Sequence, residues 1–117
     1  MPTIRELVQL IARRAGVGAV VVVGRDGLPI DSASADGIDP DGVAALLPSV
    51  VRGMGELGAA GERGEFTTGV LEFDEGLALV AVLHADAMIV ILVRPDTNVG
   101  TLLFDLRRHR TAIAGLL

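Results

Sequence analysis

Ala19-Val-Val-Val-Val23, followed at once by Gly24-Arg25-Asp26-Gly27, is the stretch from which the fold is read. A continuous β-branched run marks a strand buried on both faces. Asp-Gly tolerates the positive φ that a tight hairpin requires. The second strand, Leu28 to about Ser34, carries Pro29, which cannot donate to a ladder and so belongs on an edge. A strand that is apolar on both faces needs a helical layer above and below it.

Upstream, Thr3-Ile-Arg-Glu6 has the form of a capping box, with Ile4, Leu7, Val8 and Ile11 at helical spacing behind it and Gly16 as a stop. Downstream, Asp39-Pro40 starts a second helix, an Asp cap followed by Pro at the first position. Val43, Leu46, Leu47, Val50, Met54 and Leu57 form its apolar stripe, opposite Ala44, Ala45, Ser49, Arg52, Gly53 and Glu56. Pro48 lies inside this pattern and is expected to bend the helix, freeing the carbonyl of Ala44. Residues 58–64 read as a flexible, Gly-rich connector. Three strands follow, near Phe66–Phe73, Leu77–His84 and Ala87–Arg94, with turns short enough to require antiparallel hairpins. A last helix is expected from about Val99 to Leu116.

Strands one and five are apolar throughout and belong at the centre, adjacent to each other. Strand two, with Pro29, and strand three, with Thr67, Thr68, Gly69 and Glu72, belong at the edges. Hairpin pairing then gives the order 2-1-5-4-3. The expected architecture is α+β: elements α-β-β-α-β-β-β-α, one domain over residues 1–117, a five-stranded antiparallel sheet between two helical layers. The first and last helices share one face and the middle helix takes the other.

Composition narrows the function. The 117 residues suit one domain, and a chain of this mass can bury about 65% of its unfolded surface. There is no Cys, so disulfides and thiol chemistry are absent, and all ten basic residues are Arg. A lysine-bearing phosphate loop and Schiff-base lysines are therefore excluded. A net charge of −5 opposes binding to a nucleic acid backbone. Arg13-Arg14 before an apolar run resembles a twin-arginine signal, but the run is short and ends in Arg25-Asp26-Gly27. Gly76–Val93 is long enough to span a bilayer, but His84 and Asp86 fall at its middle, so two buried strands around a turn are expected instead of membrane insertion. The chain reads as soluble and, by default, cytoplasmic.

No catalytic constellation emerges. Ser32, Ser34 and Ser49 sit in no nucleophile elbow, and His84 and His109 read as partly solvated. The acidic run Asp36-Gly-Ile-Asp39-Pro-Asp41-Gly42 fails as a calcium loop: aligned on Gly42 it places Gly37 and Pro48 where ligands should stand. Gly16-Val-Gly18 and Gly53-Met-Gly55 lack the context of a dinucleotide fingerprint. Arg107-Arg108-His109-Arg110 reads as a solvated helix end or a contact for an acidic partner. No cofactor or metal is implied.

What remains is surface. The small, weakly polar side of the middle helix allows another helix to approach closely, and strand three is an edge with neither Lys nor Pro to guard it. Together they point to self-pairing: a homodimer in which strand three meets its copy and the middle helices pack together. The interface is expected at Ala44, Ala45, Val51, Thr67, Thr68, Gly69, Val70 and Leu71. On this reading Gly69→Pro blocks strand pairing and releases monomers. The alternative is a monomer whose edge is covered by the 58–65 connector.

Four segments, in order and spacing, resemble the roadblock (dynein light chain) family in its short bacterial form. They are Gly18-Ala-Val-Val-Val-Val-Gly-Arg-Asp-Gly27-Leu-Pro-Ile30, Asp39-Pro-Asp-Gly-Val-Ala-Ala-Leu-Leu47, Gly64-Glu-Phe-Thr-Thr-Gly-Val-Leu-Glu72, and Ile89-Val-Ile-Leu-Val-Arg-Pro-Asp-Thr-Asn-Val-Gly100. The resemblance implies the profilin-like roadblock fold and a homodimer with a continuous sheet. It also implies a non-enzymatic role, binding a small Ras-like GTPase and regulating its nucleotide cycle, as the regulators of gliding-motility GTPases do. The docking surface it implies falls on Ser49, Arg52, Gly53 and Glu56. Pro48 departs from the alanine-rich run usual in the family. Arg52 is not assigned as an arginine finger, since such regulators can equally reposition the GTPase's own residues. Two other readings remain: a structural adaptor that leaves GTP turnover alone, and a small-ligand sensor, which the all-aliphatic core disfavours.

Overall fold

The structure is a computed structural model that describes residues 3–117. Thr3 caps α1 (Ile4–Ala12), its hydroxyl accepting from the Glu6 N–H at 3.1 Å. β1 (Val17–Gly24) is buried along its whole length and extends the expected run at both ends. Alternate valines serve opposite layers. Val20 and Val22 join the core cluster with α1, whereas Val21 and Val23 join the one with the middle helix. This is the two-period of a strand buried on both faces.

β2 (Pro29–Ser34) pairs antiparallel with β1 through a register shift near Val23, where Pro29 takes the opposing place. β3 (Thr68–Phe73), β4 (Gly76–His84) and β5 (Ala87–Val93) form two further hairpins, and β1 closes against β5. The order β2-β1-β5-β4-β3 is the expected one. The Gly76–Val93 stretch is thus the β4–β5 hairpin, and no helix among the described residues is long and apolar enough to cross a membrane.

α1 and α3 (Gly100–Ala114) cover one face through Val8, Ile11, Leu102, Leu106 and Ile113. α2 (Pro40–Ala60) covers the other, with the Asp39 carboxylate accepting from the Asp41 N–H at 3.1 Å. The other acid of that run, Asp36, accepts from Arg94 at 2.6 Å. Its hydrogen bond, and then its charge, raise the Arg94 pKa further above its ordinary value. No buried polar or charged side chain is found among the described residues, so the core is aliphatic.

α2 departs from expectation in two ways. It runs on past Gly58 to Ala60, and the connector folds back on it. A Cβ at Gly58 would collide with the Gly64 carbonyl oxygen, and the Arg63 N–H donates to the Gly58 carbonyl at 2.8 Å. Pro48 lies inside the helix, as expected, and the β1–β2 turn packs against it. A Cβ on Gly27, whose φ is 79°, would stand 3.6 Å from the Ala44 carbonyl oxygen and 3.8 Å from the Pro48 ring.

The second departure is rotational. The buried residues of α2 are Ala44 and Leu47, with Val43 and Val51 packed beside them. Leu46 and Leu57, expected to face inward, are 69% and 66% exposed. The helix therefore packs Val43, Ala44, Leu47 and Val51 on the sheet, with the Gly27 turn close against Ala44 and the returning connector against Gly58, and keeps Ala45, Ser49 and Gly53 outside.

Candidate interaction surface

The groups capable of nucleophilic or acid–base chemistry are not gathered. The Ser34 hydroxyl accepts from the Ile38 N–H at 2.8 Å, and His84 Nδ1 accepts from the Asp86 N–H at 3.0 Å. Both are local turn contacts. Ser49 and His109 are exposed, on α2 and α3 respectively. Among the described residues, no group of three or more carboxylates or imidazoles is arranged to hold a metal ion.

Two surface features stand out. The first is the outward side of α2. Ser49, Arg52, Gly53 and Glu56, expected as the docking residues, are all exposed on it. Neither Arg52 nor Glu56 enters an ion pair among the described residues. Sequence reasoning missed the leucines beside them: Leu46 and Leu57, with Gly53 between, give this side an apolar stripe. Of the α2 residues expected at a dimer contact, Ala45 is exposed, whereas Ala44 must be corrected. It is fully buried against the sheet and offers no surface to a partner. Val51 is half-buried and packed on the same core.

The second feature is β3. It pairs only with β4, and its other side is the free end of the sheet. Thr67 is exposed and lies just before the strand. Val70 is 40% exposed, and Leu71 turns toward the α2 layer, packed against its core. Thr68 and Gly69 are half-buried.

The register decides which backbone groups are free. The Val82 N–H donates to the Thr67 carbonyl at 3.0 Å, which makes Thr67 and Val82 a hydrogen-bonded pair. Bonded and non-bonded pairs alternate along an antiparallel ladder. Gly69 opposite Val80, and Leu71 opposite Ala78, are therefore bonded inward to β4. Thr68, Val70 and Glu72 turn their N–H and C=O groups outward. The expectation for Gly69→Pro is thus corrected: Pro at Gly69 would cut a bond to β4 inside the subunit, and the position that tests edge pairing is Val70. The Gly69 position is also covered within the subunit, since a Cβ there would lie 3.1 Å from the Phe66 ring.

An exposed apolar helical stripe and an unpaired, unprotected strand edge are both surfaces that a partner covers. The arrangement can bind.

The chain matches the Roadblock/LC7 domain over residues 3–93. Its structure is similar to the Roadblock/LC7 domain from Streptomyces avermitilis, at 18% identity and TM-score 0.84, with 97% of each chain covered. It is also similar to Myxococcus xanthus MglB, at 22% identity and TM-score 0.79, covering 97% of this chain and 84% of that one. The gliding protein MglB from Thermus thermophilus gives 16% identity and TM-score 0.81, covering 95% and 85%. At these identities the likeness is one of fold. Among curated proteins, none matches.

Proposed function

Because this chain belongs to the Roadblock/LC7 domain family, we propose that it is a non-catalytic homodimer that docks a small Ras-like GTPase and modulates its nucleotide cycle. The observation that carries this reading is the pair of uncovered surfaces: the β3 edge and the outward side of α2. In the proposed dimer, Thr68, Val70 and Glu72 hydrogen-bond to their copies across a twofold axis, joining two sheets into one. The axis is perpendicular to the joined sheet, so both α2 helices lie on the same side. Leu46, Ala45 and Leu57 supply apolar contact there, and Ser49, Arg52, Gly53 and Glu56 present a polar surface to the GTPase. A GTPase supplies its own nucleotide site, so its regulator needs only to bind and reposition it. Its place of action is then the cytoplasm, where GTP and such a partner occur.

The test is single-turnover GTP hydrolysis by purified small Ras-like GTPases of the same organism, with and without the purified protein. A change in rate together with a stable complex supports the reading. Complex formation with an unchanged rate makes the protein an adaptor. No complex refutes the proposal.

A further inference from the structure

The layer on the other side of the sheet carries a surface that the GTPase reading does not use. α1 and α3 lie side by side and leave between them a groove of about 230 Å³. Its walls are Leu7, Leu10, Ile11, Leu102, Leu106 and Ile113. Leu10 is 57% exposed at its mouth and Leu7 half-buried, whereas Ile11, Leu102, Leu106 and Ile113 form the buried floor. The polar groups of the lining are Arg14, Asp105 and His109, and Arg14 donates to Asp105 at 2.8 Å.

Charge is distributed very unevenly around this layer. The segments that form it, residues 3–16 and 99–117, hold six of the ten arginines: Arg5, Arg13, Arg14, Arg107, Arg108 and Arg110. They hold two of the fifteen carboxylates, Glu6 and Asp105. The layer is therefore formally +4, and the rest of the chain −9. Arg5 is neutralised by Asp31 of β2 at 2.6 Å and Arg14 by Asp105. Arg13, Arg107, Arg108 and Arg110 enter no ion pair among the described residues. A concentrated positive face on an otherwise acidic protein attracts and orients an anionic partner.

From this combination, an apolar groove beside unpaired arginines, we propose that the α1–α3 groove binds an acidic amphipathic helix of a partner protein. Aliphatic side chains at i, i+3 and i+7 of such a helix fill the groove, and carboxylates on its flanks meet Arg13, next to Leu10 in helical projection, and Arg108, next to Asp105. α1, with nine residues, spans about 14 Å, so the bound segment needs about three turns. A bilayer with anionic headgroups would also meet the arginines, together with the exposed ring of Phe104. Its flat surface would leave the groove unfilled, whereas a helix projects side chains into it. The site lies across the sheet from α2, so it stands or falls independently of GTPase docking.

The probe is a synthetic helix of about 14 residues, with leucines along one face, glutamates on both flanks and a fluorescent label. The reference is the same peptide with lysine in place of glutamate. Fluorescence anisotropy with the full chain is expected to give saturable binding, one peptide per chain, with Kd on the order of 10 μM. Arg13→Glu with Arg108→Glu should weaken it at least about tenfold, an effect of about 1.4 kcal/mol, and Leu10→Glu should do the same. These side chains are exposed, so the variants should melt like the parent chain. Arg25→Glu with Arg63→Glu, matched in charge but away from the groove, should leave binding within about twofold, because only nearby charges act strongly at physiological salt. Absence of saturable binding overturns the proposal. So do equal binding of the lysine peptide, equal loss in the Arg25/Arg63 control, or tighter association with phosphatidylglycerol vesicles than with the acidic peptide.

Discussion

Val70→Pro separates pairing between subunits from folding within one. Val70 faces Leu79 as a non-bonded pair, so its N–H has no partner inside the subunit and points to the free edge. Proline is tolerated where a strand's N–H faces outward, so the monomer should fold and melt close to the parent chain. In a dimer paired through β3, the substitution removes one donor per subunit and leaves the opposing carbonyl unmatched. Each such loss costs about 1–3 kcal/mol. Two of them total about 2–6 kcal/mol, which raises the dimer Kd roughly 30-fold to 20,000-fold. Sedimentation across a dilution series measures this directly. Gly69→Pro is the contrast: it removes a bond to Val80 and should destabilise each subunit by about 1–3 kcal/mol. A Val70→Pro protein that dimerises as tightly as the parent chain would refute strand pairing at this edge.

Three further outcomes are expected. Leu47→Ala leaves a cavity under α2 and should lower unfolding free energy by about 2–5 kcal/mol in chemical denaturation. Leu46→Glu with Leu57→Glu alters only exposed positions; it should leave the fold intact, weaken the dimer and reduce GTPase binding in a pull-down of the purified components. Gly53→Ala should raise helix stability by about 0.5–1 kcal/mol, because no atom lies within 4 Å of the added methyl. At Gly58, where the methyl meets the Gly64 carbonyl, the same change should lower the melting temperature.

The sheet was legible in the sequence because several local signals agreed. Ala19–Val23 is apolar on both faces, Asp26-Gly27 makes a turn, Pro29 excludes a central place for β2, and the polar Thr67, Thr68 and Glu72 exclude one for β3. The rotation of α2 was not legible. Apolar residues occur on most of its circumference, and of the expected stripe Leu47 is buried and Val43 packs on the core while Leu46 and Leu57 are exposed. What decides is the space left by the Gly27 turn and the returning connector, which admits Ala44 and Gly58. That is a property of contacts between segments far apart in sequence.

The same holds for the edge. Composition marked β3 as unprotected, but which of Gly69 and Val70 donates outward depends on ladder parity, fixed by the Val82–Thr67 bond. The basic layer was only half visible. Arg107-Arg108-His109-Arg110 reads as a cluster in the sequence, but the meeting of His109 with Arg14 in one groove needs α1 and α3, from opposite ends of the chain, to lie on the same face of the sheet.

The most direct measurement is the mass, by light scattering, of the purified chain mixed with a purified, GTP-loaded small Ras-like GTPase from the same organism. A species containing two copies of this 12.1 kDa chain together with the GTPase is the expected result. A lone 12.1 kDa chain eluting apart from the GTPase would contradict the account.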